Sequence, residues 1–246
     1  MWDNNNEEGR FRALADIESD ISVIRSRRSL FAAVTALRDR LDVQHAVYVW
    51  INRSAGPVMI GTYPETWVAR YKDRGYRHYD PIVIDTHKSG VVTSWSDLDW
   101  SHDHLRAFLD DAVSHGVGPF GLSVPAFGPA GQFALLSLSH HGPEDVFKDI
   151  VSGMSATFLR IASLINEQVI RINRDRLVRG EVKLSRRERE VATMTAMGYT
   201  RLKIARTLDI SEHTVREHAD SFREKMASNN ITQAVARASC AGLIVV

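Results

Sequence analysis

Three helix starts and one helix stop are written into the segment LSRREREVATMTAMGYTRLKIARTLDISEHTVREHADSFREKM, residues 184–226. Ser185 and Glu188 are spaced as a capping box, in which the serine side chain accepts the third helical N–H and the glutamate reaches back to the serine N–H. Gly198 stops that helix, because glycine takes the left-handed C-terminal conformation without a Cβ penalty. Thr200 opens a second, short helix carrying Ile204, Ala205 and Leu208. After Asp209-Ile210, Ser211 caps a third, on which Val215, Ala219, Phe222 and Met226 form one stripe. A fourth starts near Ile231 and buries Ala234, Val235 and Ala238. These signals predict an all-α four-helix domain over residues 183–246.

A short helix, a tight connection and then a capped helix with a polar outer face is a helix-turn-helix arrangement. The third helix presents His213, Thr214, Arg216, Glu217, Asp220 and Arg223. Arginine grips phosphate or reads guanine edges. Around it Arg187, Thr200 and Lys203, with Arg186, Arg201 and Lys225, are placed to hold a nucleic-acid backbone and set register. The charge distribution agrees. Residues 171–246 carry 15 Lys and Arg against 9 Asp and Glu, whereas residues 1–170 carry 16 against 21. A basic module joined to a mildly acidic one is expected to meet a polyanion. The alternative is a helical bundle whose arginines are merely solvated; caps, stripes and charge together favour DNA binding.

The larger part of the chain alternates helical and strand-like patterns. RFRALADIESDISVI and SLFAAVTALRDRL have helical apolar spacing. HAVYVWI (45–51), PVMIG (57–61), FGLSVPAF (120–127) and QFALLSLS (132–139) read as strands, with turn signals at Ser54–Pro57 and Gly128–Gly131. Consecutive strands flanked by helices predict an α+β fold, an N-terminal α-β-α sandwich around a central antiparallel sheet. From Pro143 onward one long helix is expected, with an apolar stripe from Val146 and Phe147 to Val169. That stripe needs a partner, either the domain's own sheet or the same helix of a second chain. Residues 1–172 form one domain in this reading, and the charged stretch 173–182 is the linker.

Within the first domain, WVARYKDRGYRHYDP (67–81) sets Trp67 and Tyr71 one helical turn apart, with Asp80-Pro81 following. Residues four apart share a helix face. Two apolar plates with polar tips beside a carboxylate are either core filling or the lining of a pocket for an amphipathic molecule.

The C-terminal segment resembles the LuxR-type helix-turn-helix, on Leu184, Ser185, Arg187, Glu188, Glu190, Val191, Ala196, Gly198, Thr200, Ile204, Ala205, Leu208, Ile210, Ser211, Thr214, Val215, Arg216, His218 and Lys225. It departs from that pattern at Ala192, Lys203, Met226 and Ile231, and Asp220 stands where some relatives carry a base-reading arginine. The N-terminal part resembles the autoinducer-binding domain of quorum-sensing LuxR regulators, on Tyr63-Pro64, Trp67, Tyr71, Tyr76, Asp80-Pro81 and Trp95. Gly116, Gly121, Ser123, Pro125, Gly131 and Ser137 follow downstream. GVGPFG (116–121) has one residue more than the usual spacing, and Val68 stands where some relatives carry arginine.

The resemblance implies a homodimeric transcription regulator with an N-acyl-homoserine lactone as its signal ligand and no other cofactor. Its expected partners are that lactone, double-stranded promoter DNA, a second copy of the chain and RNA polymerase. It also implies the ligand contacts. Asp80 accepts from the amide N–H, and Trp67 donates to the lactone carbonyl. Tyr63 and Ser137 reach the amide carbonyl, Trp95 and Trp100 pack on the ring, and Tyr71 with Leu122 and Leu135 surrounds the tail. A regulator that binds DNA without ligand, or releases it on binding, fits the same residues.

Other classes fit less well. No window approaches the 18 apolar residues of a membrane span, and MWDNNNEEGR lacks a signal-peptide layout. The single cysteine, Cys240, cannot form an intrachain disulfide, in keeping with a reducing cytoplasm. A phosphorylation-controlled receiver would need an acidic pocket on parallel strands. A lactone hydrolase built on His102, His104, His140 and His141 lacks metal-ligand spacing. No enzymatic activity is expected.

Overall fold

The computed structural model describes residues 14–51, 58–128, 132–178, 182–240 and 242–245, with side chains up to residue 172 on the helix that ends at Val178 and none for Cys240. The turns expected at Ser54–Pro57 and between Gly128 and Gly131, and most of the expected linker, lie outside these residues. Two compact units divide the chain, one ending at Asn173 and the other holding Arg174–Val246.

The first unit is built on a five-stranded antiparallel sheet of order β2-β1-β5-β4-β3. Its strands are β1 His45–Trp50, β2 Val58–Gly61, β3 Thr93–Ser94, β4 Phe120–Gly128 and β5 Gln132–His140. In register, Val47 faces Ser137 and Tyr48 faces Leu136 across β1 and β5. The two-residue strand β3, which pairs Thr93 with Ser123, escapes pattern reading because so short a segment has no alternation to detect.

Strand alternation divides the sheet's side chains between two faces. On one, Ala46, Tyr48, Leu136 and Leu138 are fully buried, and the Tyr48 hydroxyl donates to Asn166 Oδ1 at 2.6 Å. That bond ties the sheet to the helix α7, Ser155–Val178. The helix α1 (described over residues 14–22) buries Leu14, Ile17 and Ile21 at helical spacing. The helix α2, Arg27–Leu41, starts at a Ser26–Ser29 capping box and buries Leu30, Val34, Leu37 and Leu41.

The single helix expected from Pro143 is two. The helix α6, Glu144–Val151, stops before Gly153, whose φ of 70° is left-handed backbone, and α7 begins at Ser155. A right-handed helix cannot pass through such a residue, and glycine adopts it without strain. Phe147, Ile150, Met154, Phe158, Ile161, Ala162, Ile165 and Val169 are buried within the same chain, while Val146 is exposed. Helical backbone continues to Val178 through part of the stretch read as a linker.

The opposite sheet face is covered by α3 Glu65–Asp73, a 3-10 turn Tyr76–His78, α4 Pro81–Ser89, a second 3-10 turn Trp95–Asp97 and α5 Asp103–Ser114. These elements carry the aromatic residues Trp67, Tyr71, Tyr76, Trp95 and Phe108. The second unit contains α8 Arg186–Ala196, α9 Arg201–Leu208, α10 Glu212–Lys225 and α11 Ile231–Cys240. All four helices expected from the sequence are present.

Candidate functional site

Six of the seven polar and aromatic residues expected to contact ligand meet in or beside one aromatic cluster of the first unit. Trp67 and Trp95 are buried in it together with Tyr76, Phe108, Ala112 and Val117, and Tyr63, Tyr71 and Trp100 pack against it. The Trp67 ring lies 5.8 Å from Tyr71 edge-on, 5.7 Å from Tyr76 and 5.9 Å from Phe108. Trp100 stacks parallel to Phe108, and its Nε1–H donates to the Trp95 carbonyl at 2.7 Å.

Asp80 is joined to this cluster by a hydrogen bond. One carboxylate oxygen accepts the Ile82 and Val83 N–H groups at 2.9 and 3.3 Å, which makes Asp80 the N-cap of α4 with Pro81 at the first helical position. The other accepts the Tyr71 hydroxyl at 2.7 Å. Burial pushes the Asp80 carboxyl up to about 6, against the opposing pull of the bonds from Tyr71, Val83 and Ile82. Burial and the neighbouring Asp80 charge also push the Tyr63 and Tyr71 hydroxyls well above the usual phenol range. Both are therefore neutral donors.

The seventh residue, Ser137, sits on the sheet beneath the cluster. Trp95 Nε1–H donates to Ser123 Oγ at 2.9 Å, and Ser123 and Ser137 Oγ are 2.9 Å apart. Gly121 permits this seating: a Cβ there would overlap the Trp95 ring. Since Gly121 and Ser123 face Trp95, alternation turns Leu122 to the opposite face. Leu122 therefore does not line the cluster, contrary to expectation; Leu135, opposite Val49, shares the face of Ser137.

Two contributors were not legible. Phe108 supplies a central ring from α5. Asp111 on the same helix accepts from Arg70 Nε at 2.7 Å and from the Tyr76 hydroxyl, which pins α5 to α3 and the first 3-10 turn. The Arg70 hydrogen bond holds the Asp111 carboxyl below the usual range. Lone residues on a helix have no spacing signal to betray them. Outside this pin a cleft of about 560 Å³ opens, lined by Arg70, Arg74, Tyr76, His104 and Phe108 among others. It includes none of the seven expected ligand residues.

The second unit is organised by Glu188. It closes the capping box with Ser185, accepting its N–H at 2.7 Å, and also accepts Ser221 Oγ at 2.6 Å and Lys225 Nζ at 2.7 Å. Burial alone would raise its carboxyl; the bonds from Lys225, Ser221 and Ser185 outweigh that and hold it at about 2. The N-terminus of α8 is thereby fixed to the C-terminal half of α10. Phe222, Ala192 and Met226 fill one core with Ala234 and Ala238, and Val215 fills another with Val191, Ile204 and Ala205. Two of the departures from the usual pattern, Ala192 and Met226, are therefore core positions.

Of the residues expected at DNA, Thr200 caps α9 by accepting the Lys203 N–H, and Lys203 Nζ lies 3.6 Å above the Tyr199 ring. Thr214 pairs with Ser211 at the start of α10, and Arg187 pairs with Glu190. His213 with Glu217, and Arg216 and Arg223 with Asp220, stand on one exposed side of α10.

An aromatic cluster joined to a buried carboxylate on one unit, and a helix-turn-helix on the other, are the parts of a transcriptional regulator with a ligand-binding and a DNA-binding domain. Residues 26–169 match the autoinducer binding domain, and residues 182–238 match the bacterial regulatory proteins of the luxR family. The chain belongs to the LuxR family of quorum-sensing transcriptional regulators, which are not enzymes.

It is 29% identical to the quorum-sensing regulator RhlR of Pseudomonas aeruginosa over 93% of this chain and 95% of RhlR. It is 28% identical to the transcriptional activator RaiR of Rhizobium etli over 70% and 71%. A crystal structure of Escherichia coli SdiA superposes with a TM-score of 0.65 at 22% identity, covering 96% of this chain and 99% of SdiA. A solved structure of SdiA in complex with octanoyl-rac-glycerol gives 0.63 at 21%, over 99% and 98%. Among the described residues, no group of three or more His, Cys, Asp or Glu is placed to hold a metal, and no helix is long and apolar enough to cross a membrane.

Proposed function

We propose that the autoinducer taken by this chain is an N-acyl-homoserine lactone, and that the liganded chain acts as a cytoplasmic homodimer on promoter DNA and RNA polymerase. Residues 1–172 bind the lactone and dimerise, 173–182 connect, and 183–246 bind DNA. The observation that carries the reading is the buried Asp80 carboxyl, held by Tyr71 and α4 and joined through Tyr71 to the aromatic cluster that contains Trp67. An acyl-homoserine lactone offers an amide N–H to a carboxylate and a carbonyl to an indole N–H. The aromatic rings of Tyr63, Tyr71, Trp95 and Trp100, with Leu135, supply apolar cover for ring and tail. Ser137 is a hydroxyl in reach of the same face.

The ligand completes the packing of the first unit, so occupancy stabilises it by about 2.7 kcal/mol at a hundredfold excess over Kd. Two stabilised protomers then present α10 to half-sites about one helical turn apart. Arg187, Thr200 and Lys203 hold the backbone, and His213, Thr214, Arg216, Glu217, Asp220 and Arg223 face the groove.

The test is mass spectrometry of small molecules extracted from protein expressed with lactones of varied chain length. Selective retention of one, lost in Asp80→Ala and Trp67→Ala, is the expected result. Folded wild-type protein that retains none would overturn the lactone reading and favour a ligand-independent or ligand-released regulator.

A further inference from the structure

The helix α10 carries more negative than positive formal charge. Over Glu212–Lys225 it holds four carboxylates, Glu212, Glu217, Asp220 and Glu224, against Arg216, Arg223 and Lys225. Lys225 is committed to Glu188 at 2.7 Å. The cations suited to phosphate are instead on α8 and α9, whose sequences hold Arg186, Arg187, Arg189, Arg201, Lys203 and Arg206 against two carboxylates, Glu188 and Glu190. Within this imbalance Asp220 holds a particular position. One carboxylate oxygen lies 3.7 Å from Arg216 Nε and the other 3.9 Å from Arg223 Nε. Arg223 also reaches Glu224 at 3.8 Å and the Ser228 carbonyl at 3.3 Å. Asp220 is 53% and Arg216 69% exposed, so these pairs contribute little to the fold.

Their effect falls on what the arginines do next. An arginine that leaves Asp220 for a phosphate leaves a carboxylate facing a polyanion. Only a base edge with an amino group relieves that, and in the major groove cytosine N4–H is the donor that pairs with aspartate. Guanine O6 and N7 satisfy the released arginine in the same way.

We propose that Asp220 is a specificity-determining residue of the DNA interface, which restrains Arg216 and Arg223 from indiscriminate phosphate contact and accepts from a cytosine N4–H beside the guanine that Arg216 reads. This rests on the reading that α10 faces promoter DNA.

The full-length protein, with the lactone mixture present, is used to select a duplex from a random library. Wild type, Asp220→Asn and Asp220→Glu are then titrated with the selected duplex and a scrambled one at several salt concentrations. Asp220→Asn is expected to bind the scrambled duplex more tightly and to lower the specificity ratio about tenfold. Its salt slope should steepen by about 0.9 for each arginine released to phosphate. Asp220→Glu, which keeps the charge, should retain the shallower slope. Single-base changes in the selected duplex should reveal one cytosine that wild type requires and Asp220→Asn does not. An unchanged ratio and slope in Asp220→Asn, or an equal loss on both duplexes, overturns the inference while leaving promoter binding intact. A wild-type protein that selects no sequence overturns the promoter-binding reading and the role of Asp220 with it.

Discussion

Tyr71 and Asp80 share one hydrogen bond of 2.7 Å, and the other oxygen of that carboxylate caps α4. The aromatic cluster and the helix that follows it are thus set by a single side chain. Removing the hydroxyl in Tyr71→Phe leaves the Asp80 oxygen without its donor inside a buried cluster. A destabilisation of about 2 kcal/mol is expected for a lost bond to a carboxylate. All five tryptophans lie at or before residue 100, so urea unfolding followed by tryptophan fluorescence reads this unit selectively.

The titration of Asp80 gives a pH dependence with a fixed sign. Its folded carboxyl is raised to about 6, chiefly by burial, from 3.8 in the unfolded chain. A raised value favours the folded state when the group is protonated, and that contribution is lost as pH rises through about 6. Asp80→Asn cannot ionise, so without ligand it should gain on wild type by up to about 3 kcal/mol between pH 4 and pH 8. Fluorescence-monitored denaturation of both proteins across that range checks it. A difference that stays constant with pH contradicts the burial of an ionisable Asp80.

Glu188 titrates in the opposite sense. Its folded carboxyl is held at about 2 against 4.5 unfolded, so its contribution is complete above about pH 4.5 and disappears as pH falls towards 2. Glu188→Gln should destabilise the second unit by about 2 kcal/mol at pH 7, because Lys225 loses its charge partner and the capping box its carboxylate. Hydrogen exchange of peptides from α8 and α10 is the measurement, and protection should fall there while the sheet of the first unit keeps its own.

Gly121 tests the seating of Trp95. A methyl group at this position would overlap the indole, and neither the strand backbone nor a ring bonded to Ser123 can move freely. Gly121→Ala should cost about 1 to 3 kcal/mol, the usual range for overpacking. A red shift of tryptophan emission should accompany the loss if the ring is displaced, and unchanged emission and stability would contradict the contact.

The features legible in the sequence are those whose physics is local. Ser185 with Glu188, Thr200 and Ser211 announce helix starts because a cap is satisfied within three residues. The stripes of α10 and α11 are written at helical spacing, and β1, β4 and β5 at theirs. Gly153 was the local signal for the break between α6 and α7, masked by apolar spacing that continues on both sides of it. Other relations exist only after the chain has folded. Glu188 meets Lys225 across 37 residues and Ser221 across 33, and Asp111 meets Arg70 across 41. Trp95 reaches Ser123 across 28 residues, and the register of β4 decides that Leu122 points away. No spacing rule connects such positions. The identity of the elements was therefore determined by the sequence through short-range capping and periodicity. The partner of each buried charge and ring was decided by tertiary structure, because burial removes water and a polar atom is then satisfied by whichever partner the packing brings near.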